Sequence, residues 1–410
     1  MEKRGATKAF PHAASSPCRS LMGASPYPHR ILTLAMDGVP SHYLRRYSRD
    51  LDGREAVGWL SRAAEDEVWD HFLRGVRLGH FQQSSAWARA KAIDGWRPIR
   101  MVLTLDGRIV GGFQILARRA RVGHIGYAAR APMVVPEDPT LVDLTLELPT
   151  RTARDSNLTA LLMHPPDFSA IDGAALARHR FLPNYMKEIL LATLFLDLSA
   201  GTDQIARGIR RSTMVEVRQA RRRGITIREG SDADVGTFFR LMSTTCQRLE
   251  GRKPNPATEG ALMEVWKAFR PSGYVRLTLS EFEGEAVAGG FFLCFGDRVT
   301  FWKKGWSGTH RARHPNQLLL YEGIEWSQRN GYKLFDFTGP DVDIAAVLLR
   351  GEPLSEAQKH GRGFAHLAFA QRPLLLPQGS VYLRNPLARI LYRAVGPGKW
   401  FQRIRGRMTE

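Results

Sequence analysis

Cysteine is scarce in this chain, and the few cysteines present are far apart. The 410 residues include three, Cys18, Cys246 and Cys294, and no Cys-x-x-Cys pair occurs. A disulfide-bonded scaffold and a zinc site built on thiolates are therefore excluded. The 12 histidines form neither a His-x-x-x-His nor a His-Glu-x-x-His pair, so we expect no metal site. The low cysteine content favours a reducing cytoplasm as the location.

Acidic residues are also in short supply. Lys and Arg number 59 against 40 Asp and Glu, which gives a net charge of +19. Such a balance favours polyanionic partners, namely nucleic acid, nucleotide phosphates or an anionic membrane face. No apolar run reaches the ~18 to 20 residues that a spanning helix needs. The run from Ile189 to Leu198, for example, contains Asp197, so we expect a chain that does not cross a membrane.

Several nucleotide-binding and catalytic signatures are missing as well. The sequence has no Walker A motif, no Gly-x-Gly-x-x-Gly after a predicted strand and no Gly-x-Ser-x-Gly elbow. ATP hydrolysis, dinucleotide-dependent redox chemistry and serine hydrolysis are therefore poor hypotheses for the function of this chain.

One pattern occurs twice along the sequence. The first copy, Asp106 to Phe113, is an acid-Gly turn between two predicted strands and ends in a paired glycine. The second, Glu283 to Phe291, repeats it with one residue inserted, and Gly107 and Gly284 lie 177 residues apart (284 minus 107). An acid-Gly pair between alternating strands is a strong hairpin signal. The repeat predicts two tandem copies of one mixed α/β domain, with a coincidence between two ordinary hairpins as the alternative.

Four segments are predicted along the chain. Residues 1–45, rich in Ser, Pro and Ala with an excess of basic residues, are expected to form a disordered tail. The two mixed α/β domains are expected at residues 46–193 and 194–375. A basic helical segment at 376–410 follows.

The C-terminal segment has an amphipathic pattern. Leu387, Ile390, Leu391 and Val395 lie at helical spacing among arginines. A helix of this kind can lie in the interface of a membrane. The alternatives are a peripheral membrane contact and a helix docked on the second domain.

Arginine is concentrated in a predicted helix from about Asp203 to Arg223. Two groups of three recur at i, i+3 and i+4, so one helix would present them as a single stripe. Arginine forks match phosphate oxygens bidentately, which favours phosphate binding over an ordinary solvated face. The candidate residues are Arg207, Arg210, Arg211, Arg218, Arg221 and Arg222.

Two further places combine a turn with charged groups. The segment from Gln358 to Phe364 holds Lys359 and Arg362 in a glycine-containing turn whose backbone N–H groups can cradle an anion. Asp336 ends a predicted strand next to Phe337-Thr-Gly339, where a carboxylate can orient a substrate amine. A plain turn and a capping carboxylate are the respective alternatives.

Six segments in a fixed order resemble the Fem family of aminoacyl-tRNA-dependent aminoacyltransferases. They are Gln83 to Lys91, Gly126 to Pro132, Arg211 to Ile225, Cys246 to Arg248, Asn316 to Trp326 and Gly331 to Gly339. The resemblance covers about residues 65–370, and the order and spacing of the segments make it specific. The family fold, two GNAT-like domains in tandem, agrees with the repeat. The stretch between Arg228 and Tyr274 is too short for the coiled-coil arm of some members, so an armless form is implied.

The resemblance implies transfer of an amino acid from aminoacyl-tRNA to an amine of a peptidoglycan precursor or related peptide, without a cofactor. Lys91 and Arg248 are then expected to hold the diphosphate or sugar of the acceptor, with Tyr127 and Trp302 in the same pocket. The arginine stripe gains tRNA as a partner. In this family a lysine stabilises the oxyanion, and Lys359 takes its place here.

The chain departs from the family pattern at this lysine. The phenylalanine that precedes it in the family is absent, so Arg362 is an alternative cation, and Asp336 is a candidate general base. Aminolysis of an activated ester needs no covalent enzyme intermediate, which fits the missing nucleophile motifs.

Two other functions remain as alternatives. One is a GNAT-like N-acyltransferase that uses an acyl-CoA donor. The other is a non-catalytic protein that binds RNA or a membrane surface through its arginines and its C-terminal segment. In all three cases we expect a cytoplasmic protein, with peripheral contact at the inner membrane face as an option.

Overall fold

The computed structural model describes residues 39–121, 123–185, 191–251, 253–359, 363–370 and 372–396, with residues 249 and 250 described by their backbone alone. Residues 1–38 of the predicted tail lie outside these ranges. Tyr43, however, is buried, and the first strand begins at Leu44. The Tyr43 hydroxyl donates to the Asp66 carboxylate (2.6 Å), which ties this segment to the first helix. Regular structure therefore begins inside the segment predicted as a tail.

Strands and helices are mixed along the whole described chain. The strands are β1 (Leu44–Leu51), β2 (Arg54–Ser61), β3 (Arg97–Leu105), β4 (Arg108–Ala120), β5 (Gly123–Ala128), β6 (Met133–Val134), β7 (Leu158–Met163), β8 (Leu182–Pro183), β9 (Ala192–Asp197), β10 (Thr226–Glu229), β11 (Val275–Phe282), β12 (Glu285–Phe295), β13 (Arg298–Trp306), β14 (Leu334–Asp336), β15 (Pro373–Leu375) and β16 (Ser380–Leu383). The helices are α1 (Glu67–Gly75), α2 (Ser85–Lys91), α3 (Pro139–Asp155), α4 (Gly173–Arg178), α5 (Thr202–Gly208), α6 (Arg211–Arg222), α7 (Val235–Glu250), α8 (Glu259–Phe269), α9 (Pro315–Arg329), α10 (Val342–Leu349), α11 (Glu356–Lys359) and α12 (Pro386–Val395). Among the residues described, none of these helices combines the length and apolar character needed to cross a bilayer.

The strands form two sheets, one in each half of the chain. The first runs β1-β2-β3-β4-β5-β7-β16-β8, with β6 beside β4, and the second runs β10-β11-β12-β13-β14-β9-β15. In both sheets a helix leads into a parallel strand pair: α3 precedes β7, which pairs with β5, and α9 precedes β14, which pairs with β13. The shared strand order and crossover confirm the prediction of two tandem copies of one mixed α/β domain.

The repeated hairpin matches position by position. Val102 pairs with Gly112 in the first copy, and Leu279 pairs with Gly289 in the second. Both residues of the second pair lie 177 positions after their counterparts (279 minus 102, 289 minus 112). The β-bulge that follows each turn obeys the same offset. Both residues of each acid-Gly turn have positive φ, as a type I′ hairpin turn requires. No residue is inserted, in contrast to the sequence alignment, because the ladder makes Gly112 and Gly289 equivalent.

The two halves exchange strands. The strand that connects them, β9, lies in the second sheet between β14 and β15, whereas β16 from the C-terminal segment lies in the first sheet between β7 and β8. Val381 and Tyr382 of β16 are buried. This strand falls in the segment 376–410 for which the sequence predicts only a helix. The strand that follows β8 in the chain is therefore part of the second sheet, and the strand that follows β15 is part of the first.

A hydrophobic core spans both halves. Helix α2 of the first half packs against α8 of the second. The Phe81 and Trp87 rings lie 6.2 Å and 6.5 Å from the ring of Phe269, which is fully buried. Burial of this aromatic surface is favourable because it removes apolar area from water. The contact fixes α2 close to the second sheet.

We expect chains that end at residue 375 and at residue 396 to differ sharply in stability. The shorter chain lacks β16, so it leaves the edges of β7 and β8 unpaired and loses the buried side chains of Val381 and Tyr382. Losing two buried side chains of this size costs about 4 kcal/mol or more, which corresponds to a fall in Tm of about 5 °C for a chain of this length. Thermal unfolding followed by circular dichroism measures the difference. Equal Tm values for the two chains would contradict the exchange of β16.

Candidate functional site

Lys91 and Trp302, one from each half, meet at the same aromatic cluster. The Ser84 side chain caps α2 by accepting the backbone N–H of Trp87 (3.2 Å). The Trp87 ring stands edge-on to the Trp302 ring with centroids 6.0 Å apart, and the Lys91 ammonium lies 5.9 Å from the Trp87 centroid. Lys91 is also ion-paired with Asp94. The structure thus brings together two of the residues predicted to bind the acceptor.

A β-bulge turns Trp302 toward this junction. Strands β12 and β13 pair Phe291 with Lys303 and Phe292 with Phe301, so Trp302 has no partner in the ladder. An extra residue of this kind bends its strand and changes the direction of its side chain. The Trp302 ring lies 5.6 Å from the Phe291 ring and packs on the core that contains α2 and α8. The bulge therefore explains how a residue of the second sheet reaches the first half.

Tyr127 lies on the same face of the first sheet as an arginine that the motifs did not identify. Tyr127 pairs with Leu116, and Arg118 follows two residues later on that face of β4. Diagonal neighbours of this kind lie about 7–8 Å apart. The Arg118 guanidinium carbon is 4.6 Å from the Trp96 ring centroid, and the backbone N–H of Trp96 donates to the Lys91 carbonyl (3.3 Å). Arg118 is therefore a neighbour of Tyr127 on one side and of Trp96, which is hydrogen-bonded to the Lys91 backbone, on the other.

The environment of Arg118 suits an anion. Its side chain is half-buried, and its Nε has no hydrogen-bond partner in the part of the chain that the structure describes. The Nε itself is buried, but a half-exposed guanidinium stacked on an indole can bind a phosphate or carboxylate through its terminal N–H groups. The sequence signal was the pair Arg118-Arg119 inside a strand, because alternation sends the two side chains to opposite faces. Arg119 is the exposed member of the pair.

Arg248, a residue of α7, lies beside Trp306 at the end of β13. Its guanidinium carbon is 4.1 Å from the Trp306 ring centroid. The Thr245 hydroxyl, one turn earlier in α7, accepts the backbone N–H of Trp306 (2.7 Å) and fixes the helix to the end of the strand. Four residues of extended chain separate Trp302 from Trp306, which is about 13 Å. The Arg248–Trp306 pair is therefore separated from Trp302 by roughly that distance along the strand.

Lys359 lies apart from these residues. It ends α11, is exposed, and its ammonium lies 2.6 Å from the Glu356 carboxylate. The alternative cation, Arg362, lies outside the described residues. Gly363 (φ +78°) approaches the turn after β14 so closely that a Cβ atom would lie 2.1 Å from the Gly339 carbonyl oxygen. Gly363 is therefore held against the loop after Asp336, and no contact within the described ranges joins Lys359 to Lys91.

Asp336 belongs to a buried group of charges between the halves. Its carboxylate accepts hydrogen bonds from the Thr193 hydroxyl (2.6 Å) and the Thr338 N–H (2.9 Å), and it lies 3.8 Å from Arg298. Burial raises the pKa of Asp336. At 4% exposure the residue does not face an open site. These contacts favour a structural role for Asp336 over the predicted catalytic one.

Asp167 of the first half is shared by two buried arginines. It accepts a hydrogen bond from Arg298 (2.6 Å) and forms an ion pair with Arg130 (2.7 Å) that lacks the alignment of a hydrogen bond. Burial by itself raises the pKa of Asp167, but the two guanidinium groups outweigh it and lower the pKa to about 2. Burial, together with Arg298 and Arg130, lowers the pKa of nearby His80 well below its usual range. Asp167 therefore stays ionised at neutral pH and joins the halves.

The predicted arginine stripe is not carried by one helix. Helix α5 ends at Gly208 and α6 begins at Arg211. Between them Ile209 is extended (φ −76°, ψ 143°) and buried, and the Arg210 N–H donates to the Ala368 carbonyl (2.9 Å). The single helix predicted from Asp203 to Arg223 is therefore wrong, because the burial of Ile209 stabilises a break at that point.

The six arginines also differ in their partners. Arg221 pairs with Glu322 (2.6 Å) and Glu325 (3.5 Å) of α9, and the hydrogen bond to Glu322 is the main reason why its pKa is raised. The remaining five are exposed and form no ion pair with any described residue: Arg207, Arg210, Arg211, Arg218 and Arg222. The charge available to a polyanion thus comes from these five side chains.

Known proteins share part of the sequence. Residues 207–343 match the family model described as an acetyltransferase (GNAT) domain. The Lipid II:glycine glycyltransferase of Staphylococcus saprophyticus is 23% identical over 235 residues, which are 54% of this chain and 56% of that protein. The match therefore spans little more than half of the relative.

One solved structure shares the fold over most of this chain. FemX superimposes with a TM-score of 0.67 at 16% identity, over 80% of this chain and 98% of FemX. A tandem GNAT protein from the clavulanic acid biosynthesis pathway has a TM-score of 0.44 at 14% identity, over 81% of this chain and 99% of its own. The FemX match covers both halves and confirms the predicted tandem GNAT-like fold. Between β10 and β11 the described residues form α7 and α8 and no coiled-coil arm.

Replacement of Asp167 by Asn is expected to destabilise the junction between the halves. Arg130 and Arg298 would stay buried without their shared carboxylate, which costs about 3–5 kcal/mol. The wild-type protein should also depend on pH, because the Asp167 pKa is lower in the folded state than in the unfolded chain. The stabilisation is complete above the unfolded pKa of ~4 and is lost as the pH falls toward 2. Urea unfolding at neutral and acidic pH tests both points, and an unchanged midpoint for Asp167→Asn at neutral pH would refute them.

Proposed function

We propose that this chain, a tandem GNAT protein of the Fem type, transfers an amino acid from an activated ester to an amine of a peptidoglycan precursor. The observation that carries the proposal is the junction where Lys91 and Trp302 meet beside Arg118 and Tyr127. Cations and indole rings side by side suit an acceptor that combines phosphate with sugar and peptide. The similarity to Lipid II:glycine glycyltransferase supports the same class of acceptor.

We infer that the donor is an aminoacyl-tRNA. The five exposed arginines of α5, α6 and the break between them carry no described carboxylate partner. Arginine-rich surfaces bind the phosphates of nucleic acid, with an affinity that falls as salt rises. An acyl-CoA, the alternative donor, offers far fewer phosphates to a surface of this kind. The proposal therefore assigns these arginines to the tRNA.

The proposed reaction is aminolysis of an ester. The neutral amine nitrogen attacks the ester carbonyl carbon, the bond from that carbon to the ribose oxygen breaks, and the amine proton ends on the ribose oxygen. The product is an amide, and no cofactor or covalent enzyme intermediate is needed. The protein contributes proximity and a cation for the developing oxyanion. We assign that cation to Lys359 on the resemblance to the family; its side chain is exposed, and a substrate would take the place of its Glu356 partner.

The proposal is tested with charged tRNA and a peptidoglycan precursor as substrates. Mass spectrometry should find an aminoacyl increment on the precursor with charged tRNA and none with uncharged tRNA or acetyl-CoA. Transfer from acyl-CoA without transfer from tRNA would replace the proposal by the N-acyltransferase alternative. Binding of RNA without any transfer would favour the non-catalytic alternative.

Lys359→Ala is expected to lower kcat by about 10²–10³, the usual cost of removing one group that stabilises an oxyanion. KM for the precursor should change much less. Lys267→Ala is the matched control, because Lys267 also pairs with a glutamate three residues earlier and lies on the exposed face of its helix. Steady-state kinetics of the two variants make the comparison. If both keep the wild-type kcat, Lys359 is not the oxyanion cation.

Arg118→Gln is expected to raise KM for the precursor by about 10- to 100-fold, since a hydrogen bond to a charged group contributes about 1.5–3 kcal/mol. The effect on kcat should be small. Arg119→Gln is the control, because Arg119 is the next residue and points to the other face of β4. Thermal unfolding of both variants separates binding from a folding defect. An equal KM for both variants at equal stability would remove Arg118 from the acceptor site.

A further inference from the structure

Helix α12 presents its most apolar stripe to the outside of the protein. Leu387, Ile390 and Leu391, at positions i, i+3 and i+4, are 69%, 61% and 64% exposed. No other large hydrophobic residue in the described ranges is as exposed as these three. A helix on the surface of a globular protein ordinarily turns such a stripe toward the core. The stripe on α12 is therefore available to a partner.

The opposite side of α12 is fixed to the first half. The buried Tyr392 ring stacks on Tyr185 with centroids 5.1 Å apart and 13° between the planes. Its hydroxyl donates to the Pro183 carbonyl (3.1 Å) and accepts the Tyr185 N–H (3.0 Å). Tyr392 projects roughly 140° around the helix from Leu387, at about 100° per residue. The stripe cannot turn inward without breaking these contacts.

Along the sequence, the stripe is flanked by basic residues and by no acidic ones. Arg384, Arg389 and Arg393 lie on or next to α12, and the sequence from Arg384 to Thr409 contains no Asp or Glu. An apolar stripe beside cations is complementary to the interface of an anionic bilayer, where acyl chains cover the stripe and headgroups neutralise the cations. A second copy of this chain is a poorer fit, because it would bring the same arginines together in a molecule of net charge +19.

We propose that α12 docks the protein reversibly on the surface of a bilayer that contains anionic phospholipids. The docking rests on the exposed stripe, the Tyr392 anchor and the arginines, and it does not depend on the proposed transfer reaction. Because cations near a charged surface are screened by salt, the attachment should weaken as ionic strength rises.

The full chain is tested by cosedimentation with vesicles of phosphatidylglycerol and phosphatidylcholine, and with vesicles of phosphatidylcholine alone. Wild-type protein should bind the anionic vesicles at low salt and far less at high salt. Replacing Leu387, Ile390 and Leu391 together by Ser should lower the partition coefficient by ~10-fold or more. Val342→Ser with Leu349→Ser is the matched control, because these residues are also exposed and apolar but lie on α10. Arg393→Gln should weaken binding to the anionic vesicles only.

Several results would overturn the proposal. One is equal binding of the triple variant and the wild type, and another is the absence of binding to anionic vesicles at low salt. A chain ending at residue 396 that no longer binds would place the anchor in residues 397–410 instead of α12. Light scattering that shows a dimer, which the triple variant converts to a monomer, would assign the stripe to a second copy.

The outcome is separable from that of the proposed function. With a water-soluble precursor the triple variant should transfer amino acids at the wild-type rate. Vesicle binding without any transfer by the wild type would count against the proposed reaction alone. Normal transfer by a wild type that does not bind vesicles would count against the docking alone.

Discussion

Asp167 extends from the first half of the chain to Arg298 of the second in a region from which water is excluded. Arg298 is the first residue of β13, so this ion pair fixes where the strand begins. Trp302 follows four residues later, about 13 Å along, where the bulge turns it toward Trp87. Breaking a buried pair is costly because it leaves an uncompensated charge, so the two halves tolerate little displacement. The contact of Trp302 with Trp87, the ring that Lys91 also approaches, depends on that constraint.

The exchanged strands also hold the two halves together. Strands β9 and β16 cross between the halves, so each sheet is completed by a segment that lies next to the other half in the chain. The core between α2 and α8 adds a third connection. A junction held by buried charge, by strand pairing and by apolar packing is preorganised, which in the proposed reaction would lower the entropic cost of aligning two substrates. A two-domain transferase needs such rigidity if the halves bind different reactants.

Local signals in the sequence were sufficient to predict the tandem fold, because an acid-Gly hairpin turn is specified by adjacent residues. Strand β16 has no comparable signal: it is four residues long, and Val381 pairs with Leu162, 219 positions earlier in the chain (381 minus 162). The break at Ile209 was missed because burial in the folded chain overrides helical periodicity. For the candidate site, motif matching identified Lys91 and Tyr127 but not Arg118. Strand alternation would have placed Arg118 beside Tyr127, whereas its stacking on Trp96 appears only in three dimensions.

The first sheet connects the helix proposed to dock on lipid with the site proposed for the acceptor. Tyr127 and Val381 pair with Leu162 from opposite sides, so the three residues form one row across β5, β7 and β16. With strands about 4.8 Å apart, that row spans only about 10 Å. Helix α12 begins five residues after Val381 (386 minus 381) and is held to β8 and the residues that follow it by Tyr392. A bilayer bound by α12 would thus hold Tyr127 at a fixed orientation to the lipid surface. An acceptor that diffuses in the plane of the membrane would then approach the junction from a single direction, set by the strand that completes the first sheet.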